Sequence, residues 1–95
     1  MRSVQEKSIE KYLADRIKIL DGFCIKLNPL WYKGIPDRLV AYKCGSRCRI
    51  AFVELKRPKG GRLSVAQKWW KKRLEAIGAE WHVLSNRAEI DEFLG

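Results

Sequence analysis

Residues Ile50-Ala51-Phe52-Val53 form an almost wholly apolar run that ends in Glu54-Leu55-Lys56, and this junction constrains the fold more than any other part of the chain. Such a run suits a strand buried on both faces of a sheet. Side chains along a strand alternate between faces, so Glu54 and Lys56 share one wall while Val53 and Leu55 share the other. An anion and a cation at the end of a buried strand are costly unless they are paired or bound to a metal. On its own E-x-K is a weak signal, because exposed strand faces often carry such solvated pairs. The surroundings strengthen it: Gly34-Ile35-Pro36-Asp37 lies upstream and a basic segment follows. Pro36 lacks an N–H and fits poorly in mid-sheet, which sets Asp37 at a strand start or bend. Two carboxylates meeting at a sheet end can hold Mg2+, a hard ion that prefers oxygen ligands. A lysine beside them can orient or deprotonate a water that attacks phosphorus.

The 95 residues make a single domain, 1–95, with room for a three- or four-stranded sheet and two or three helices. A hydrophobic content of 46% with four Trp argues for a folded globule rather than a disordered basic tail. No apolar run approaches bilayer-spanning length and the charged N-terminus lacks a signal-peptide core, so a cytoplasmic protein without a membrane partner is expected. The net charge of +9 points to phosphate backbones. An anionic membrane would favour one long amphipathic helix carrying the charge. Here Lys56, Arg57, Lys59, Arg62, Lys68, Lys71, Lys72 and Arg73 follow one another with no acid between them. A charge run is most often a solvated face, but this one begins at the acid pair and reads as a strand-to-helix phosphate-binding surface. Cys24, Cys44 and Cys48 are odd in number and His82 is the sole histidine. They lack the second ligand pair a zinc site needs and are expected as free thiols in a reducing compartment.

Ser3 to about Leu20 reads as an amphipathic helix with Ile9, Leu13, Ile17 and Leu20 on one stripe. Ser3 and Glu6 match a capping box, yet Glu6 also lies near the middle of the inward stripe, where a carboxylate needs a partner. Glu10 sits at the stripe's edge. Asp21-Gly22 ends the helix. Phe23 to Leu27 alternates as a strand, and Asn28-Pro29 breaks it. Leu30 to Gly34 is a loop whose Trp31 and Tyr32 either pack on the sheet or stack on a base or ribose. Asp37 to Tyr42 and Arg49 to Lys56 are antiparallel strands joined by a turn at Lys43 to Arg47. That hairpin can bring Asp37, at the start of one strand, close to Glu54, near the end of the other.

Pro58 to Arg62 is a glycine-rich basic loop that lacks a P-loop pattern, so no nucleotide cofactor is expected. Its adjacent glycines allow close backbone approach to a phosphate. Ser64 caps a helix that runs to about Ile77 and ends at Gly78, with Ala66, Trp69, Trp70, Leu74 and Ile77 on its inner face. Lys68, Lys71, Lys72 and Glu75 lie opposite, and Gln67 sits at the border. Ala79 to Leu84 is a final strand crossing back after the helix, and Asn86 caps a short helix, Ala88 to Leu94. The order αβββαβ, with this terminal helix, predicts an α/β fold: a mixed sheet flanked by helices.

Taken together, Glu6 in a first helix, Gly34-Ile35-Pro36-Asp37-Arg38, Val53-Glu54-Leu55-Lys56 and Ser64-x-x-Gln67 resemble the VRR-NUC branch of the PD-(D/E)XK nucleases. The resemblance covers nearly the whole chain and implies a restriction-endonuclease-like core. It implies that Asp37, Glu54 and the carbonyl of Leu55 hold Mg2+ or Mn2+, that Lys56 acts on the attacking water, and that Glu6 (or Glu10) and Gln67 complete or orient the site. It further implies a phage-type standalone nuclease that acts as a homodimer on branched DNA such as four-way (Holliday) junctions. Lys26, Arg57, Lys59, Arg62, Lys68, Lys71 and Lys72 are expected to hold the DNA backbone. The competing expectation is a non-catalytic basic nucleic-acid-binding module, which gains nothing from placing two acids beside its phosphate surface.

Overall fold

Helical spacing of Ile9, Leu13 and Ile17 predicts one buried stripe, and all three are buried. The structure, a computed structural model, describes residues 4–28, 30–57 and 61–95. The expected cap at Ser3, the break at Pro29, and Pro58, Lys59 and Gly60 of the basic loop lie outside them. The elements are α1 (Val4–Ile19), β1 (Phe23–Lys26), β2 (Arg38–Cys44), β3 (Arg47–Leu55), α2 (Val65–Ala76), β4 (Glu80–Leu84) and α3 (Arg87–Leu94). The four strands form one sheet in the order β1-β2-β3-β4. The pairings β1–β2 and β2–β3 are antiparallel, whereas β4 joins β3 in parallel after the α2 crossover. This is the expected mixed sheet flanked by helices.

The core lies on one side of the sheet. Ile9, Leu13 and Ile17 of α1 and Ile90 and Phe93 of α3 pack on Val40 and Tyr42 of β2, Ala51, Val53 and Leu55 of β3, and Leu84 of β4. The other side carries Phe52 and Glu54 of β3 and, in register beside them, Trp81 and Val83 of β4. Helix α2 covers this side, and its principal packing on the sheet is against β4. Residues expected inside are therefore outside. Ile50 is 56% exposed and Phe52 only half-buried, so β3 is covered on one face along most of its length. Likewise Trp69 and Ile77 of α2 are 55% and 79% exposed, while Leu74 alone of that helix is buried.

Two local corrections have clear causes. Both long helices end in Schellman motifs. In α2 the left-handed residue is Gly78, as expected: Ala79 N–H donates to Leu74 O and Gly78 N–H to Glu75 O. In α1 the left-handed residue is Asp21 (φ 56), one position before the expected Gly22. Gly22 serves close packing instead, since a Cβ there would fall 2.5 Å from Ala41 O. The hairpin turn is also tighter than expected. Cys44 pairs with Arg47, leaving Gly45-Ser46 as a two-residue turn with Gly45 at φ +64, the glycine-first arrangement that suits strand twist.

A polar clasp ties β3, β4 and α3 together. Arg49 Nη2 donates to Glu80 Oε1 at 2.8 Å and Arg49 Nε to Glu80 Oε2 at 3.1 Å. Its other arm donates to Tyr42 Oη at 2.6 Å and to the Phe93 carbonyl, and the guanidinium carbon lies 4.3 Å from the Phe93 ring centroid. His82 Nε2 lies 3.0 Å from Glu80 Oε1. Hydrogen bonds from Arg49, then from His82, pull the Glu80 carboxyl from 4.5 to about 2. A depressed carboxylate contributes stability that is complete above its unfolded pKa and lost as pH falls through the folded value. The clasp should therefore weaken between about pH 4.5 and 2. Thermal melts across this range should show Glu80→Gln losing less stability on acidification than wild type; parallel curves would mean the clasp is not the acid-sensitive group.

Candidate active site

The hairpin register brings the two acids together. Arg38 is paired with Val53, so one residue further the same register sets Asp37 opposite Glu54. The main chain at Asp37 is held from the other side as well, its carbonyl accepting from Leu27 N–H at 2.9 Å. Its side chain reaches across to β3, where Asp37 Oδ2 accepts from Leu55 N–H at 2.9 Å. Glu54 is 3% exposed although charged. Lys56 Nζ lies 3.9 Å from Glu54 Oε2, as strand alternation predicts. Asp37, Glu54 and Lys56 thus gather at one end of the sheet on the α2 side.

Their donor chemistry suits a hard cation. The side-chain donors are carboxylate oxygens, and the neighbouring main chain offers carbonyl oxygens. Among the described residues no group of three or more His, Cys, Asp or Glu gathers as a metal cluster. Two carboxylates with a backbone carbonyl and water form a donor set that Mg2+ accepts.

Helix α1 supplies the remaining acids. Gly22, just past its C-terminal end, packs on Ala41 and Tyr42, and Glu10 forms an ion pair with the buried guanidinium of Arg38. The helix therefore runs with its N-terminal end toward the Asp37 end of β2. Glu10 is engaged with Arg38 on the core side of the sheet. Glu6, half-buried one turn earlier, lies closer to the strand ends. The Glu10–Arg38 pair was not foreseen; its signal is Arg38 itself, which occupies an inward position in the alternation Arg38, Val40, Tyr42.

Gln67 stands in a capping box at the start of α2. Gln67 N–H donates to Ser64 Oγ at 3.1 Å, and Ser64 N–H donates to Gln67 Oε1 at 2.8 Å. The S-x-x-Q spacing carries that signal directly. The expected cationic residues divide. Arg57, Arg62, Lys68 and Lys72 are exposed. Lys71 is half-buried, with Nζ 5.4 Å from the Trp81 ring centroid and 3.4 Å from Glu75 Oε1. Lys26 lines a separate cleft with Lys7, Lys11, Glu10 and Arg38, and Lys59 lies outside the described residues. Of the three free thiols, Cys24 is pushed up to about 11 by burial, and Cys44 and Cys48 are exposed near the hairpin turn.

The approach to Asp37 is fixed by a clamp between the preceding loop and α2. Trp70 Nε1 donates to Lys33 O at 3.0 Å. Gly34 has φ +85, and a Cβ there would lie 2.6 Å from the Ala66 backbone carbon. Both facts demand glycine. Gly34→Ala should cost about 2 kcal/mol or more in urea denaturation, from the left-handed backbone alone, and more if the loop cannot move off α2. An unchanged unfolding midpoint would show that the loop does not bear on the helix.

Known proteins bear on this geometry. No family model matches the chain. Over 87 residues it is 37% identical to "Putative nuclease p44" of Acyrthosiphon pisum secondary endosymbiont phage 1, covering 92% of this chain and 89% of that protein. A solved structure described as "VRR_NUC domain" superposes with a TM-score of 0.84 at 27% identity, covering 97% of this chain and 96% of the other.

Proposed function

This chain belongs to the VRR-NUC nuclease family, and we propose that it is a Mg2+- or Mn2+-dependent endodeoxyribonuclease that hydrolyses phosphodiester bonds in branched DNA. The observation that carries the reading is the hydrogen bond from Leu55 N–H to Asp37 Oδ2, with Glu54 opposite Asp37 and Lys56 Nζ 3.9 Å from Glu54. In this reading Asp37, Glu54 and the Leu55 carbonyl hold the cation. Bound there, the cation supplies Lewis acidity toward the phosphate and lowers the pKa of water. Lys56 Nζ orients the attacking water. Glu6 is the helix acid that borders the site, because it lies one turn nearer than Glu10 to the end of α1 that faces the Asp37 end of β2. Gln67 contributes by setting the first turn of α2. Arg57, Arg62, Lys68 and Lys72 hold the strand on either side of the scissile bond without reading bases.

One domain offers one such site, so paired incision of a junction requires two copies related by a two-fold axis. The part of the α2 side that lies away from β4, which the helix leaves bare, supports such a pair. Phe23, Ala41 and Ile50 lie in register across β1, β2 and β3, and Phe23, Ile25 and Ile50 are more than half exposed. Uncharged surface is where two strongly cationic copies can meet without opposing like charges. Among the described residues no helix is long and apolar enough to cross a membrane, and the proposed place of action is the cytoplasm.

The test is cleavage of end-labelled four-way junction, flap and linear duplex DNA in Mg2+, Mn2+ or EDTA. Wild type should cut the branched forms only with metal. Glu54→Ala should cut slower by more than about a hundredfold, exceeding the loss typical of residues behind a metal ligand, while still binding DNA. Wild-type rates in Glu54→Ala would refute the site assignment. Tight binding without cutting in any metal would leave a basic binding module as the better account. Light scattering on the same preparation should give a dimer's mass; a monomer that still makes paired cuts would remove the two-fold arrangement.

A further inference from the structure

The clamp that fixes the approach to Asp37 also borders an open cleft the acid pair does not use. It measures about 340 Å³ and is lined by Tyr32, Lys33, Ala66, Trp69 and Trp70. Trp70 meets Tyr32 edge-on with ring centroids 5.6 Å apart and meets Trp69 edge-on at 5.3 Å. Trp70 is the fixed member, tied by its indole N–H to Lys33 O. Tyr32 and Trp69 are 60% and 55% exposed. Clustered exposed aromatics mark a binding surface more often than scattered ones do.

Charge identifies the occupant. The Arg73 guanidinium carbon stands 5.3 Å from the Trp69 ring centroid; Lys33, which lines the cleft, and Lys68, next to Trp69 in the chain, are both exposed. A second copy of this chain would bring cations against cations. A nucleic acid brings phosphates to the lysines and arginine and the π face of a base to the rings. Position agrees: Gly34 is seated on Ala66, and Asp37 follows three residues later, at most roughly 11 Å of chain. That span is roughly three steps of a stacked strand.

We propose that this cleft takes up an unstacked nucleobase beside the scissile phosphate, with Trp69 and Tyr32 as its stacking faces. The inference rests on the nuclease reading above and deepens it, because it supplies a physical source of selectivity for branched DNA. A base within a duplex is stacked on both sides and must be extruded at a cost before it can enter, whereas a base at a junction or flap is already partly released.

Binding is measured by anisotropy in EDTA, so that cutting does not intervene, on labelled oligothymidylate and on a linear duplex of equal length. Trp69→Ala should weaken oligothymidylate binding by about 5- to 150-fold, the range for one lost stacking contact. Duplex affinity should change little, and Trp69→Phe should stay near wild type. Tyr32→Ala, at a residue outside the core, should show the same selective loss and serves if Trp69→Ala fails to fold. Unchanged oligothymidylate binding, or equal losses on both DNAs, would overturn the proposal. So would a dimer that dissociates in Trp69→Ala, which would assign the cleft to a second copy. Cleavage is not the readout, so these results stand apart from failure of the acid-pair assignment, which Glu54→Ala reports separately.

Discussion

The hydrogen bond from Leu55 N–H to Asp37 Oδ2 is the contact on which the rest of the site depends. It joins the residue entering β2 to the residue leaving β3, where regular strand pairing has just ended. Hairpin register alone sets Asp37 opposite Glu54, and this bond fixes which way the Asp37 carboxylate turns. The burial of Glu54 follows from its place on the α2 side of the sheet. Two carboxylates close together repel each other, and the arrangement is electrostatically reasonable only with cations at hand. Lys56 supplies one at 3.9 Å from Glu54; the donor chemistry suits a second, divalent one.

The sequence shows these features where the chemistry is local. Strand alternation predicts Glu54 and Lys56 on one wall; Ser64 and Gly78 predict both ends of α2; the helical stripe of α1 predicts its buried face. It fails where an answer depends on what lies across space. Apolar spacing marks Trp69 and Ile77 as one helical face, but says nothing of how much sheet lies beneath it, and α2 reaches the sheet chiefly over β4. The same gap left Ile50 expected inside. The Glu10–Arg38 and Arg49–Glu80 pairs join residues 28 and 31 positions apart, beyond any local pattern. Sequence spacing sets Gln67 at the border of two helical faces, and the structure engages it in the capping box with Ser64.

A division of labour follows from the two sides of the sheet. The α1 and α3 side holds the core and the Arg49–Glu80 clasp, so folding stability is concentrated there. The α2 side carries the acids, the exposed cations and the aromatic cleft, with comparatively little buried apolar area. Gly34 joins these parts, because the loop it belongs to leads directly into Asp37 while resting on Ala66 of α2.

The most direct measurement is a titration of Mn2+ followed by its EPR signal, comparing wild type with Asp37→Asn and Glu54→Gln. Both variants keep side-chain size and remove a charged oxygen donor. Wild type should take up Mn2+, and each variant should bind it at least about tenfold more weakly, the loss of one ligand interaction worth about 1.4 kcal/mol or more. Equal uptake by all three proteins would contradict the site assignment, because the cation would then lie somewhere other than between Asp37 and Glu54.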